Sequence, residues 1–220
     1  MLYKLLHRFG LLALLLMSSL AMAVEEPRYE VISAQGDFEL RRYQALLVAQ
    51  TVVEGDMDQA SRKGFQLLAD FIFGNNQTSE GSAKIAMTAP VTMEPQSAKI
   101  AMTAPVTLQA QAGLPESGPW RMHFVMPSQY TLASIPKPRN PAVQLRELPP
   151  QWFVAHKFSG FTTESRVASK TQEAAQWARQ QALSPTSAPQ LARYDPPWTP
   201  PMFRRNEILI EVSAPPAKSP

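Results

Sequence analysis

The sequence offers few side chains that could carry covalent or metal chemistry. It contains no cysteine, which excludes thiol catalysis, disulfides, Cys-ligated zinc and iron–sulfur clusters. The motifs of serine nucleophiles, phosphate-binding loops, dinucleotide sites and zinc-binding helices are also absent. No pattern among the acidic residues fixes two carboxylates at a catalytic separation. The residues by themselves therefore predict no active site.

Two histidines follow residue 23, and they are the clearest candidates for a metal ligand. His123 and His156 lie on different predicted strands, and no spacing rule links them. A ring nitrogen of either could ligate haem iron, and the thioether of Met87 or Met102 could do the same. The metal ligand thus stays unknown, and both histidines could equally be ordinary sheet residues.

Residues 1–23 are typical of a secretory signal peptide. A positive start, with Lys4 and Arg8, precedes an apolar run, and residues 21–23 (Ala-Met-Ala) match a cleavage site. The apolar run is too short to span about 30 Å of hydrocarbon. We therefore expect cleavage after Ala23, export to the periplasm and no membrane attachment of the mature chain.

Removal of residues 1–23 lowers the net positive charge, which is the feature that would suggest a nucleic-acid partner. The 220 residues include 21 Lys and Arg against 18 Asp and Glu, a formal net charge of +3. Removal of Lys4 and Arg8 leaves 19 basic residues and a net charge of +1. No basic run exceeds two residues, whereas a nucleic-acid partner requires a clustered basic surface. The sequence therefore argues against nucleic acid as a partner.

The remaining chain, residues 24–213, predicts a single α+β domain with two helices packed on an antiparallel sheet. The first helix is predicted from Asp56, the N-cap of a capping box, to about residue 73. The second is predicted at about 163–183, and residues 214–220 are expected to form a disordered tail. Strands are predicted from alternating apolar residues at 29–34, 38–43, 45–53, 120–126, 143–148, 152–158, 190–194 and 206–212.

An identical repeat lies between the first helix and the middle strands. Residues 82–92 (SAKIAMTAPVT) recur at 97–107. Two copies are too few for a solenoid, so the repeat predicts one extra extended segment. Pro90 and Pro105 each remove a ladder hydrogen bond, which places these segments at an edge or a bulge. The sequence does not decide which copy occupies the structural position.

Several segments, in order, resemble the SOUL haem-binding protein family. The resemblance covers nearly all of the mature chain, and its strength comes from the order of the motifs, since each alone is weak. The matching segments are Tyr29–Val31, Glu39–Tyr43, Gly64–Asn76, Lys84–Val91 with its copy Lys99–Val106, Phe124–Pro127, Phe158–Gly160, Tyr194–Pro200 and Arg204–Glu207.

The resemblance implies a distorted antiparallel β-barrel of about eight strands, flanked by two helices and built from two similar halves. It also implies non-catalytic binding of haem or another tetrapyrrole in a shallow apolar groove beside the first helix. Carried over by position, the binding residues are Arg62, Phe65, Ala69, Phe73, Met87, Met102, Tyr194 and Trp198. Those on the helix share one side of it, where the Arg62 guanidinium can pair with a propionate.

The expected function is that of a monomeric periplasmic carrier or buffer of haem rather than an enzyme. Two alternatives stay open. The implied barrel also resembles bacterial effector-binding domains, which favours a general binder of amphipathic small molecules. A haem-modifying enzyme, removing iron or opening the ring, is the catalytic alternative. No histidine lies between residues 8 and 122, so a histidine ligand from the first helix or the chain that flanks it is impossible.

Overall fold

The computed structural model describes residues 24–96 and 118–215. Three predictions concern residues outside these ranges: the signal peptide at 1–23, the second repeat copy at 97–107 with Met102, and residues 216–220 of the tail.

The predicted strands and both helices occur in the predicted order, and further strands that were not predicted lie at 76–77, 91–95 and 137–138. β1 (Tyr29–Gln35), β2 (Phe38–Tyr43) and β3 (Leu46–Gly55) precede α1 (Met57–Ile72). Next come β4 (Asn76–Gln77), β5 (Val91–Pro95), β6 (Gly118–Val125), β7 (Lys137–Pro138), β8 (Gln144–Leu148), β9 (Gln151–Phe158) and α2 (Glu164–Gln180). β10 (Gln190–Arg193), a 3-10 turn (Pro201–Phe203) and β11 (Asn206–Val212) complete the domain.

Nine strands form one antiparallel sheet in the order β1-β2-β9-β11-β10-β5-β6-β3-β8. The units β3-α1-β5-β6 and β9-α2-β10-β11 have the same arrangement, because the last strand of each lies between the other two. The units meet where β5 pairs with β10, with Met93 opposite Leu191. This confirms the α+β class. No pairing joins β1 to β8 among the described residues, so the barrel remains a prediction.

Both helices pack on one face of the sheet. The larger core combines Leu68 and Phe71 of α1 and Trp177 of α2 with sheet residues such as Trp120 and Ile208. A smaller cluster, which contains no helical residue, covers the opposite face around Tyr43, Phe153 and Leu209. The sheet therefore separates a helix-bearing face from a second face with its own buried side chains.

Local sequence explains where α1 begins and how closely it approaches the sheet. The Asp56 carboxylate accepts a hydrogen bond from the Gln59 N–H at 2.7 Å, which confirms the predicted N-cap. Gly64 faces Met122 of β6, and a Cβ at this position would lie 3.0 Å from the Met122 sulfur. Glycine thus allows the close packing that positions the outer side of α1. Neither helix of the described chain is long and apolar enough to cross a membrane.

Candidate functional site

The outer side of α1 carries the helical residues that the sequence analysis assigns to a ligand. Phe65 is 39% exposed and Phe73 is 60% exposed, whereas Ala69 between them is buried in the core. The Phe65 ring packs edge-on against Phe124 of β6 with centroids 5.5 Å apart, which holds it in place. Arg62 is exposed, and the ion pairs seen among the described residues involve other groups.

The first repeat copy, which carries Met87, contacts the C-terminal end of α1 and then joins the sheet. The Ile85 N–H donates to the Ile72 carbonyl at 2.8 Å, at the C-terminal end of the helix. Val91 pairs with Phe124, which contacts Phe65 nearer the middle of the helix. Met87 lies between these two contacts and is partly exposed. We name Arg62, Phe65, Ala69, Phe73 and Met87 the α1 strip.

A buried asparagine fixes the path of this segment. The Asn76 amide donates to the carbonyls of Phe71 at 2.8 Å and Ala83 at 2.7 Å, and its oxygen accepts from the Ala83 N–H at 3.0 Å. Further along the segment, the Thr88 hydroxyl donates to the Val125 carbonyl. Asn76 also starts a formal glycosylation sequon (Asn-Gln-Thr), but its amide is buried and hydrogen-bonded. Its role is therefore structural.

Tyr194 lies on the second face of the sheet, away from the α1 strip. Its hydroxyl donates to the Glu207 carboxylate at 2.7 Å, and burial together with that carboxylate raises its pKa. The preceding residue, Arg193, points to the helix-bearing face, where its guanidinium donates to the Ser61 hydroxyl at 2.7 Å. The structure therefore does not bring Tyr194 together with the predicted helical residues.

Tyr194 belongs to a buried charge network that the sequence analysis did not anticipate. The Arg41 guanidinium donates to both Glu207 oxygens, at 2.6 and 3.0 Å, and both side chains are fully buried. Arg41 also donates to Glu39 at 2.7 Å and to the Tyr43 hydroxyl at 3.1 Å. The only sequence signal was that these residues fall inside the family-like motifs. Those motifs therefore encode a buried framework on the second face.

Trp198 lies on a proline-rich loop that contacts a different part of the chain. Arg204 holds this loop by donating to the carbonyls of Thr199 at 2.7 Å and Pro197 at 2.5 Å. The neighbouring loop is attached through the Gly160 N–H, which donates to the Pro201 carbonyl at 2.9 Å. Four exposed apolar residues on these two loops form what we name the aromatic surface: Phe161, Trp198, Met202 and Phe203.

The two histidines are buried within the sheet. The His156 ring stacks on Phe38 with centroids 4.2 Å apart, and its Nδ1 donates to the Lys170 carbonyl at 3.2 Å. The other His156 nitrogen lies 3.6 Å from the Glu173 carboxylate. Nε2 of His123 has no hydrogen-bond partner in the described chain. In residues 24–96 and 118–215, no three His, Asp or Glu side chains converge to hold a metal ion.

We expect His123 to make stability depend on pH. Burial, with the charges of Arg121 and Arg146, lowers the pKa of His123 to about 4. An unfolded histidine has a pKa of about 6.5, so acid favours unfolding by up to about 3 kcal/mol as pH falls from 6.5 to 4. Stability from this residue is complete above pH 6.5. The unfolding free energy of His123→Gln, measured in urea, should not show this decrease between pH 6.5 and 4. An NMR signal of His123 that titrates near pH 6.5 would contradict the lowered pKa.

A cavity of about 440 Å³ adjoins the first repeat copy at Thr88. Its walls come from residues 25–28, the turn between β2 and β3, and the chain after β6. The cavity is lined by no residue of α1. It is therefore separate from the strip of residues assigned to a ligand.

The fold places the chain among small α+β domains of known structure. The C-terminal domain of EcmrR superposes with a TM-score of 0.55 at 12% identity, covering 85% of this chain and 99% of that one. An uncharacterized conserved protein from Listeria innocua gives a TM-score of 0.53 at 12% identity, with coverages of 82% and 94%. A hydrolase from the same organism gives 0.50 at 12%, with coverages of 83% and 94%. At such identities the likeness concerns the fold alone.

The family is shown by the sequence. The model of the SOUL heme-binding protein family matches residues 24–98 and 92–211, and the chain belongs to that family. No curated protein sequence matches the chain. Each matched region contains one copy of the repeat, at 82–92 and 97–107. In the structure, the first copy leads into β5.

Proposed function

We propose that the protein binds haem or a related tetrapyrrole on the α1 strip, without catalysis, as a periplasmic carrier or buffer. Membership of the SOUL heme-binding family gives the ligand class. The observation that supports the location is the exposure of Phe65 and Phe73, since large apolar side chains left in water indicate a binding surface when they are contiguous.

The α1 strip fits the chemistry of a porphyrin. Arg62 and Phe73 lie about 16 Å apart along the helix axis at 1.5 Å per residue, which is long enough to carry a macrocycle. Phe65, Phe73 and Met87 offer apolar contacts for its flat face, and the small side chain of Ala69 leaves room between them. Arg62, at one end, can hold a propionate by charge-assisted hydrogen bonds.

The residues of the strip also favour binding over chemistry. An arginine, two phenylalanines, an alanine and a methionine provide no general acid or base for proton transfer. The Met87 thioether is the one described side chain of the strip that could ligate iron. His123 and His156 are buried elsewhere, and substituting either by alanine should leave the haem spectrum unchanged.

The resemblance also assigns Met102, Tyr194 and Trp198 to the ligand. Met102 lies outside the described residues. Tyr194 donates a hydrogen bond to Glu207, and Trp198 lies on the aromatic surface. The proposed site is therefore smaller than the family comparison implies. The proposal concerns the α1 strip alone.

Haemin titration of the purified protein, followed by the Soret band, tests the proposal. Replacing both Phe65 and Phe73 by alanine should raise the dissociation constant at least tenfold, because each lost aromatic contact removes about 1 kcal/mol. Arg62→Glu should weaken binding more than Arg62→Gln, since it repels the propionate.

Phe203→Ala is the matched control, because this phenylalanine is at least as exposed as Phe65 and Phe73 but lies on the aromatic surface. Its haemin affinity should equal that of the unmodified protein. The absence of a saturable Soret change at micromolar haemin would reject haem binding. Saturable binding that survives the Phe65/Phe73 replacement would instead reject the α1 strip. Steady bleaching of the bound Soret band with a reductant would support the enzymatic alternative.

A further inference from the structure

The aromatic surface presents an unusual amount of apolar area to water. Trp198 is 82% exposed, and Phe161, Met202 and Phe203 are also largely exposed. Four prolines in residues 195–201 (DPPWTPP) restrict the backbone of the loop. The side chains therefore protrude from a restrained scaffold, and contiguous exposed apolar groups of this kind indicate an interaction surface.

Arginines without a carboxylate partner surround this surface. Arg166 donates to the Ser159 carbonyl at 3.0 Å, and the Arg204 guanidinium lies 5.8 Å from the centre of the Phe161 ring. Arg193 donates to the hydroxyls of Ser61 and Thr162. The ion pairs found in the described ranges involve none of these three. Their positive charge is therefore not neutralised by direct contact.

An open groove of about 380 Å³ lies directly beside Phe203. Lys157, Arg204 and Arg205 line it together with a single acid, Asp37. Lys157 is paired with Glu39, and Arg205 with Glu26 and Glu207. Arg204 is thus the basic group of this groove without an ion-pair partner among the described residues, and Asp37 is the acid that shares the groove with it. The unpaired guanidinium of Arg204 can donate to a phosphate oxygen at the rim of the groove.

The acidic residues near the surface are few and partly occupied. Asp195 accepts a hydrogen bond from the Arg205 N–H at 2.6 Å. Glu164 lies in the first turn of α2, and Asp58 acts on Arg193 from α1. The three arginines and these three carboxylates balance in number, so Arg166 and Arg204 offer individual unpaired guanidinium groups to lipid phosphates rather than a net positive field.

We propose that the aromatic surface docks the protein reversibly on an anionic lipid membrane. Trp198, Met202 and Phe203 enter the headgroup region with Phe161, and Arg204 and Arg166 contact lipid phosphates. Aromatic side chains with a nearby basic group are suited to the membrane interface. The protruding shape favours a planar, deformable occupant over a small ligand, which needs a concave site.

Docking of this kind needs no spanning helix, and it departs from the expectation, drawn from the sequence, that the mature chain has no membrane attachment. It concerns the two loops that carry the aromatic surface, whereas the proposed tetrapyrrole site consists of α1 residues and Met87. The two proposals are therefore independent.

Vesicle binding monitored by tryptophan fluorescence tests the proposal. Trp120 and Trp177 are buried and Trp152 is half-buried, so an environment change at the surface reports chiefly on Trp198. Vesicles of phosphatidylglycerol and phosphatidylcholine should shift the emission to the blue, and brominated lipids should quench it. Vesicles of phosphatidylcholine alone should bind at least tenfold more weakly, and added salt should weaken binding to the anionic vesicles.

Trp198→Ala with Phe203→Ala should reduce vesicle co-sedimentation at least tenfold. Ile32→Ala, at an exposed apolar position on β1, is the matched control and should bind like the unmodified protein. Haemin affinity of the Trp198/Phe203 variant should be unchanged. Failure to bind anionic vesicles would overturn the proposal and favour a protein partner, and equal binding to neutral vesicles would overturn the role of the arginines. If the Trp198/Phe203 variant lost haemin affinity but still bound vesicles, the docking proposal would be wrong and Trp198 would belong to the tetrapyrrole site.

Discussion

Replacing Glu207 by glutamine is expected to lower the free energy of unfolding by about 3 kcal/mol, because it leaves the Arg41 charge buried without its main partner. Glutamine keeps the size of the side chain and can still contact Tyr194. The loss falls at the low end of the range for a broken buried pair, since Glu39 still accepts a hydrogen bond from Arg41. Urea unfolding at pH 7, followed by circular dichroism, measures the difference.

The same substitution should change the response to acid. Burial acts to raise the pKa of Glu207, but the hydrogen bonds and charge of Arg41 outweigh it, and the pKa is lowered. A carboxyl with a lowered pKa stabilises the fold above its unfolded pKa of about 4.3 and loses this effect as pH falls below it. The difference in unfolding free energy between the unmodified protein and Glu207→Gln should therefore decrease as pH falls from 5 toward 3.

Glu30→Gln on β1 is the control for the change of charge. Its carboxylate lies 3.4 Å from Arg42 in an exposed pair, so we expect a change below about 0.5 kcal/mol. If Glu207→Gln also cost less than about 1 kcal/mol, below the range for a broken buried pair, the pair would not be the anchor that the geometry indicates.

Replacing Asn76 by alanine is the second large effect, an expected loss of about 2–3 kcal/mol. Removal of the amide leaves the Ala83 N–H and the Ala83 carbonyl without this partner, and the Phe71 carbonyl keeps only the Gly74 N–H at 3.4 Å. Buried polar groups left unpaired cost about 1–3 kcal/mol. Since Asn76 anchors the segment that carries Met87, haemin binding should also weaken. Hydrogen exchange at the Ile85 N–H should accelerate if the segment loosens from α1.

Asn75→Ala serves as the neighbouring control. This asparagine is exposed, and its amide donates to Asp70 at the helix surface. Its unfolding free energy should change by less than about 0.5 kcal/mol. Equal losses for both variants would show that the buried hydrogen bonds of Asn76 are not the cause.

Local patterns predicted much of the fold, because period and capping act over a few residues. The Asp56 cap and the bounds of β2 and β11 follow directly from such patterns. The side of α1 that faces outward was also predictable from helical spacing. Nothing local indicates that Phe124 would hold Phe65 on that side.

Contacts between distant parts of the chain could not be predicted in this way. Arg41 and Glu207 are 166 positions apart, and no short pattern pairs a cation with its acid at that separation. Tyr194 and Trp198 are near neighbours in sequence, and the resemblance of their segment to the family assigned both to the ligand. The chain turns between them, and the structure directs one to a buried carboxylate and the other to water.

The buried pair of Arg41 and Glu207 bears on what a family signature reports. The family-like motifs contain Arg41, Asn76, Tyr194 and Glu207. The side chains of these four residues form hydrogen bonds with other groups of the protein. A sequence match at these residues therefore indicates that two proteins share the fold, and it does not indicate that they share a ligand. Side chains such as Phe65 and Phe73 can change without disturbing that scaffold. Proteins that share the signature can therefore differ in the ligand that they bind and still be identified as members of one family.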